Sequence, residues 1–154
     1  MKTLCLYYSR TNMTKTAMKL LAGTIGADIF EYTDGRDRSG AAGYVGACID
    51  SFRRTLPKVT IKGAPDLGAY DRAVIGMPLW AESPCVVGRA LLQQYGPQLP
   101  QDVYLVVTHM AGADYMKKIL ALDDLLGRPA GGHLSLRTKN NDYLREIKAF
   151  ASTL

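Results

Sequence analysis

Leu4-Cys5-Leu6-Tyr7-Tyr8, followed at once by Ser9-Arg10-Thr11-Asn12-Met13-Thr14 and then by a helical pattern, decides the fold of this chain. The unbroken apolar run reads as a strand buried on both faces, Lys2 to Tyr8. The spacing of Ala17, Met18, Leu21 and Ile25 predicts a helix over Thr14 to Ile25, stopped by Gly26. A buried strand that turns directly into a helix presents the helix's first free N–H groups, and the positive end of its dipole, beyond the strand's carboxyl end. That arrangement binds anions, and three hydroxyls, Ser9, Thr11 and Thr14, stand in the turn. Neither a G-x-G-x-x-G fingerprint nor a G-x-x-x-x-G-K-[ST] loop is present, so the turn reads as a monophosphate cradle completed by N–H groups from Arg10 to Lys15. The same residue types also serve as plain helix caps, Thr11 or Asn12 here, so the turn by itself leaves both readings open.

Working outward, strands and helices alternate. Ala27 to Tyr32 reads as a second strand, and Thr33 to Gly40, rich in charge and turn residues, as an exposed loop. Val45, Cys48, Ile49 and Phe52 recur at helical spacing, predicting a second helix closed at Leu56-Pro57. Ala73 to Met77 is a third strand ended by Pro78, and Ser83 as N-cap with Pro84 at the first helical position predicts a helix to Tyr95. Val103 to Thr108, apolar and largely β-branched, is a fourth strand, followed by a helix over Asp114 to Leu126. His133 to Thr138 is a weaker fifth strand, and Asn141 caps a last helix with Tyr143, Ile147, Phe150 and Leu154 on one face. Five strands alternating with helices imply right-handed crossovers and a parallel sheet covered on both faces. Ligands in such sheets bind beyond the carboxyl ends of the strands, so the segments Ser9–Thr14, Met77–Cys85 and Thr108–Asp114 should converge.

The chain has 154 residues, 47% of them hydrophobic and 21% charged, which suits one globular domain. No stretch approaches the roughly 20 apolar residues of a membrane span, so no membrane association is expected and the default location is the cytoplasm. Cys5, Cys48 and Cys85 are odd in number and widely spaced, which fits free thiols rather than a zinc or iron–sulfur cluster or a disulfide framework. A formal net charge of +5 draws anionic ligands or partners, yet the basic residues are dispersed and no nucleic-acid signature occurs, so no specific nucleic-acid binding is expected.

The second loop carries the only tryptophan, in Met77-Pro78-Leu79-Trp80-Ala81-Glu82. At a strand end it either meets a planar aromatic ligand or covers the edge of the core, and the neighbouring polar turn favours ligand contact. The third loop, Thr108-His109-Met110-Ala111-Gly112, joins a hydroxyl and an imidazole to small residues that let backbone approach a ring. His109 either donates to a ring heteroatom or is a structural hydrogen-bonding residue.

On these residues the chain resembles the flavodoxin family, in its short flavodoxin-like branch, over essentially its whole length. Ser9-Arg10-Thr11-Asn12-Met13-Thr14 is similar to the family's [ST]-x-T-G-x-T turn, with Asn12 at the usual glycine; asparagine is among the few other residues that tolerate positive φ. Tyr70 to Trp80 is similar to its Y-D-x-x-x-x-G-x-P-x-W segment. The resemblance implies a three-layer sandwich with a five-stranded parallel sheet in order 2-1-3-4-5 and helices on both faces. It implies FMN as cofactor, its phosphate in the first turn and its ring between Pro78–Ala81 and Thr108–Gly112. It further implies electron transfer, or a small NAD(P)H- or quinone-type oxidoreductase that needs no general acid from the protein, with a redox protein or a small acceptor as partner; monomer and homodimer both remain open. The third loop lacks the aromatic residue of the carrier flavodoxins, and the basic charge argues against a low-potential carrier. Arg36, Arg38, Arg53, Arg54 and Lys58 around the second helix suit either an anionic nicotinamide cofactor or partner, or a solvated basic face, the latter being the commoner case. A flavodoxin-like binding or regulatory module without efficient flavin binding is the competing reading.

Other chemistries fit poorly. A phosphorelay receiver needs acidic residues after the first strand and an acceptor aspartate after the third, where this chain has Tyr8-Ser9 and Met77-Pro78. Cys5 and Arg10 stand one residue too close for a cysteine-phosphatase loop, and no G-x-S-x-G elbow occurs. Cys85, near the second loop, reads as a packed small hydrophobe sooner than as a redox group.

Overall fold

A computed structural model describes residues 1–139 and 143–154. The expected cap Asn141 lies outside the described residues. Strands β1 (Thr3–Tyr7), β2 (Asp28–Thr33), β4 (Arg72–Trp80), β6 (Asp102–His109) and β7 (Gly132–Arg137) form a parallel sheet in the order β2-β1-β4-β6-β7. That is the expected five-strand order. Two strands of two residues each add to it, β3 (Thr60–Ile61) antiparallel on β2 and β5 (Ser83–Pro84) antiparallel on β4.

Helices α1 (Met13–Ile25) and α6 (Tyr143–Ala151) cover one face, while α3 (Val86–Tyr95), α4 (Met116–Leu120) and α5 (Leu122–Leu126) cover the other, where α2 (Gly40–Asp50) also inserts Ala47. Alternation along β1 explains the two layers: Cys5 and Tyr7 meet α1, and Leu4 and Leu6 point into the larger core. Two glycines set how closely the helices approach. A Cβ on Gly76 would lie 2.4 Å from Met18 Cγ of α1, and one on Gly88 of α3 would lie 2.4 Å from Met77 Sδ. No helix among the described residues is long and apolar enough to cross a membrane.

Four sequence expectations need correction. The third strand does not stop at Pro78 but runs to Trp80. By then β1 has ended, and β5 takes its place: the Cys85 N–H donates to the Pro78 carbonyl at 3.0 Å, so the proline's missing N–H deprives no partner. Because Ser83 and Pro84 are spent in that hairpin, the next helix starts at Val86 with Cys85 as its cap, the Gly88 N–H donating to Sγ at 3.3 Å. The helix expected over Asp114–Leu126 is two short helices that meet at Ala121. The fourth correction concerns α2 and the loop before it. The helix ends at Asp50 rather than near Leu56, and its apolar stripe faces outward, with Ile49 57% and Phe52 78% exposed. The loop expected to be solvated instead buries the side chains of Asp34 and Arg38.

Candidate functional site

At the carboxyl end of β1 the chain turns through Asn12, whose φ of 66° and ψ of −1° put it in the left-handed region that glycine usually fills. Its side chain makes no cap bond, while its carbonyl accepts from the Thr16 N–H at 2.9 Å, the first bond of α1. The helix therefore opens with N–H groups lacking any side-chain acceptor. Ser9 Oγ is buried and has no hydrogen-bond partner among the described residues. A buried hydroxyl left unpaired costs about 1–3 kcal/mol.

The other two hydroxyls of the turn differ. Thr11 is exposed and lines the cleft described below. Thr14 is buried and bridges to β6, its Oγ1 lying 2.7 Å from Thr108 Oγ1. In that pair one hydroxyl donates to the other, which leaves a single proton for another acceptor. The bond ties the first loop to the third.

Beyond the strand ends lies a cleft of about 1060 Å³. Arg10, Thr11, Met13 and Thr14 form its wall on the first turn, Pro78 to Ala81 on the second, and Thr108 to Ala111 on the third. Ser9, Asn12 and Gly112 do not line it; a Cβ on Gly112 would instead lie 3.4 Å from the Arg137 guanidinium. The three predicted segments thus converge, and α2 adds a wall that sequence reasoning missed. Tyr44, Ala47 and Cys48 face the cleft at i, i+3 and i+4, a spacing that was legible but that the alternative stripe through Val45, Ile49 and Phe52 obscured. Glu82, Tyr115 and Thr138 are the remaining additions.

The second loop is a tight hairpin. Trp80 pairs with Ser83, so Ala81 and Glu82 make a two-residue turn, with φ of 44° and 64°. Both central residues of such a turn need positive φ, which Asn-Gly adopts easily and Ala-Glu does not, so the cleft's lip carries strain. The hairpin puts Trp80 at the core's edge, only 6% exposed, with Tyr8 edge-on at 5.6 Å and the Arg38 guanidinium 5.2 Å from its ring. It lines the cleft mainly as a backing wall, and its buried indole N–H has no acceptor among the described residues.

His109 is occupied. Nδ1 lies 2.9 Å from the Ala111 carbonyl, which only accepts, so Nδ1 carries the proton; Nε2 lies 2.9 Å from the Ser135 hydroxyl and accepts from it in the neutral ring. With Tyr115 edge-on at 5.0 Å, the imidazole shapes the third loop and has no free nitrogen to offer a ligand. Of its two expected roles, the structure supports the hydrogen-bonding one. Cys85 is equally committed: burial pushes its thiol up to about 12, and the inward Cys5 is likewise pushed up to about 12 by burial.

Behind Trp80 sits a charged network. Arg38 makes two bonds of 2.7 Å to Asp34 and one of 3.0 Å to Asp50 of α2. Burial works to raise the Asp34 carboxyl, but the hydrogen bonds from Arg38 and from the Arg36 N–H outweigh it and hold the group below its usual range. Asp50 also receives Arg36 at 3.6 Å and Arg53 at 3.0 Å. Arg10 reaches back to the Arg38 carbonyl at 3.4 Å and lies over Tyr44 at 5.3 Å, joining this network to the first turn.

No protein-family model matches the chain, and no curated protein sequence does. Solved structures do. A flavoprotein from Lactobacillus acidophilus, crystallised in complex with FMN, superposes with a TM-score of 0.75 at 22% identity, covering 97% of this chain and 98% of the other. Oxidised flavodoxin 1 from Bacillus cereus gives 0.62 at 10% identity, covering 99% and 96%. The WrbA-like flavodoxin from Agrobacterium tumefaciens gives 0.61 at 10% identity, covering 98% and 92%. At these identities the agreement is one of architecture, and over essentially its whole length this chain has the flavodoxin-like fold.

Proposed function

We propose that the chain binds FMN across the carboxyl ends of β1, β4 and β6 and works as an electron-transfer protein or small oxidoreductase. The observation that carries this reading is the cleft in which the hydroxyl turn before α1 and the loops after β4 and β6 converge, with Asn12 left-handed at the opening of the helix and the Ser9 hydroxyl, beside it, unpartnered among the described residues. That donor set suits a phosphate monoester. The Lactobacillus flavoprotein of the same fold supports the choice of ligand, since it was crystallised with FMN.

In this reading Ser9, Thr11, the Thr14–Thr108 pair and the first N–H groups of α1 hold the phosphate. Pro78–Ala81 and Thr108–Ala111 line the ring's place, with Trp80 excluding water behind it. FMN, when bound, supplies the capacity to take up and release electrons. The protein's own part is to anchor, to keep water off one side and, through backbone near the ring, to set the potential. A reduced nicotinamide or a redox protein would be the donor, and a redox protein or small acceptor such as a quinone the recipient.

Titration of the apo protein with FMN and with riboflavin tests this. Ser9→Ala should weaken FMN about tenfold or more, the loss of one charge-assisted hydrogen bond, and leave riboflavin unchanged. Its stability should not fall, because the hydroxyl it removes has no partner among the described residues. Equal losses for both ligands would contradict the phosphate assignment, and absence of micromolar FMN binding by the unmodified protein would leave the competing reading, a module without flavin.

A further inference from the structure

On the far side of the Arg38–Trp80 pair from the cleft lies a second cavity, of about 700 Å³, that the flavin reading does not use. It is lined by Arg36, Arg38, Arg53 and Arg54 around the single carboxylate of Asp50, with Leu56, Pro57 and Val86 completing the wall. The charge balance there is unusual. Arg38 is already paired with the buried Asp34, so Asp50 is the carboxylate left to Arg36 and Arg53, each about half exposed, and Arg54 adds a guanidinium with no ion-pair partner among the described residues. Asp34, the other acid nearby, is spent on Arg38. Like charges gathered in this way repel one another unless an anion joins them.

The alternative, a solvated basic face, would leave long side chains free to separate. Here two of them, Arg36 and Arg53, meet Asp50 at 3.6 and 3.0 Å at the cavity wall, while more than half of each side chain stays open to a ligand. Guanidinium groups held in this way suit the oxygens of a phosphate, and the apolar part of the wall suits an organic body.

We propose that this pocket binds a phosphate monoester, its dianion on Arg36, Arg53 and Arg54 and its organic body against Leu56, Pro57 and Val86. The site is separate from the cleft, so it stands whether or not FMN is the cleft's ligand. The phosphate could be carried on a nucleoside or be free, and the titration separates the two.

Calorimetric titration with adenosine 2′-phosphate, in the unmodified protein and in Ser9→Ala, whose β1–α1 turn is the competing phosphate site, tests the proposal. Inorganic phosphate and adenosine serve as parallel arms. The ester should bind with a Kd below about 1 mM, inorganic phosphate more weakly, and adenosine without measurable heat. Arg36→Ser combined with Arg54→Ser, two exposed side chains, should weaken the ester about tenfold or more while leaving FMN affinity within about twofold. Three results would overturn the proposal: no saturable ester binding up to about 10 mM, unchanged affinity in the double variant, or inorganic phosphate binding as tightly as the ester. Ester binding that Ser9→Ala weakens as much as the double variant does would assign it to the β1–α1 turn and overturn the pocket equally.

Discussion

Helices α3 and α2 face the same side of the sheet, and they are held there by opposite means. In α3 the side chains of Val86, Val87, Ala90, Leu91 and Leu92 are buried, and Gly88 lets the backbone close on Met77. In α2 only Ala47 and Asp50 are buried, while Tyr44, Val45 and Ile49 stay 57% exposed. Apolar burial attaches α3; α2 is attached through Asp50 to Arg38, and through Arg38 to Asp34 and the Trp80 ring. A helix anchored by charge can leave its apolar residues outside, and it places the rest of its length, Tyr44 and Cys48 included, against the cleft. One layer of the sandwich thus serves stability on its α3 side and ligand contact on its α2 side.

The sharpest way to break this contrast is to remove the anchor. Arg38→Met deletes the cation and leaves Asp34, whose side chain is 1% exposed, as an unpaired buried carboxylate, an arrangement that costs about 3–5 kcal/mol. The variant should also reverse a pH dependence. In the parent the folded-state value of Asp34 lies below its unfolded value, so its contribution is present above an unfolded pKa of about 3.9 and is lost as pH falls through the depressed value. Without Arg38 burial dominates and lifts the carboxyl, so mild acid relieves the penalty. Urea unfolding at pH 7 and pH 5 should show the gap between parent and variant narrowing toward pH 5. A gap that widens would mean that Asp34 finds another cation.

The matched pair comes next. Leu91→Ala, at a fully buried α3 position, should cost about 2–5 kcal/mol in the same assay, and Ile49→Ala, on the outer face of α2, no more than about 0.5. Comparable losses would show that the outer stripe of α2 is packed in solution and that charge does not carry the helix alone.

The two helices also show where sequence reading works. Strand identity followed from β1 and β6, whose apolar runs admit one interpretation, the order of the five parallel strands was what the family resemblance implied, and α3 followed from Ser83-Pro84 as a start signal that stands two residues early. Burial of α2 did not, because the outward stripe Val45, Ile49 and Phe52 satisfies helical spacing as well as Tyr44, Ala47 and Cys48, which face the cleft; the choice rests on Arg38 and Asp50, a pairing across 12 positions that no periodicity reveals. The site shows the same division. The turn from Ser9 to Thr14 and the loops after β4 and β6 were legible because topology forces strand ends together. The hydroxyl bridge between Thr14 and Thr108 spans 94 positions, and the hairpin at Ala81-Glu82 has none of the Asn-Gly chemistry that announces such a turn, so neither could be read locally.

That hairpin provides the smallest test, and it acts at the other end of the α2 anchor. Trp80 reaches the Arg38 guanidinium only because β4 and β5 are closed by two residues in the left-handed region. Replacing Glu82, exposed and with φ at 64°, by glycine removes a backbone penalty of about 1–2 kcal/mol and adds back the unfolded-chain entropy of glycine, roughly 0.5–1 kcal/mol. The expected net effect is stabilisation by up to about 1 kcal/mol, seen as a higher urea midpoint with unchanged slope. In the Arg38→Met background the gain should persist at similar size, because the relief is local to the turn and does not depend on what Trp80 packs against. A gain that vanishes there would mean that Arg38 and the hairpin hold each other in place, so that α2 depends on the strained lip of the cleft as well as on Asp50.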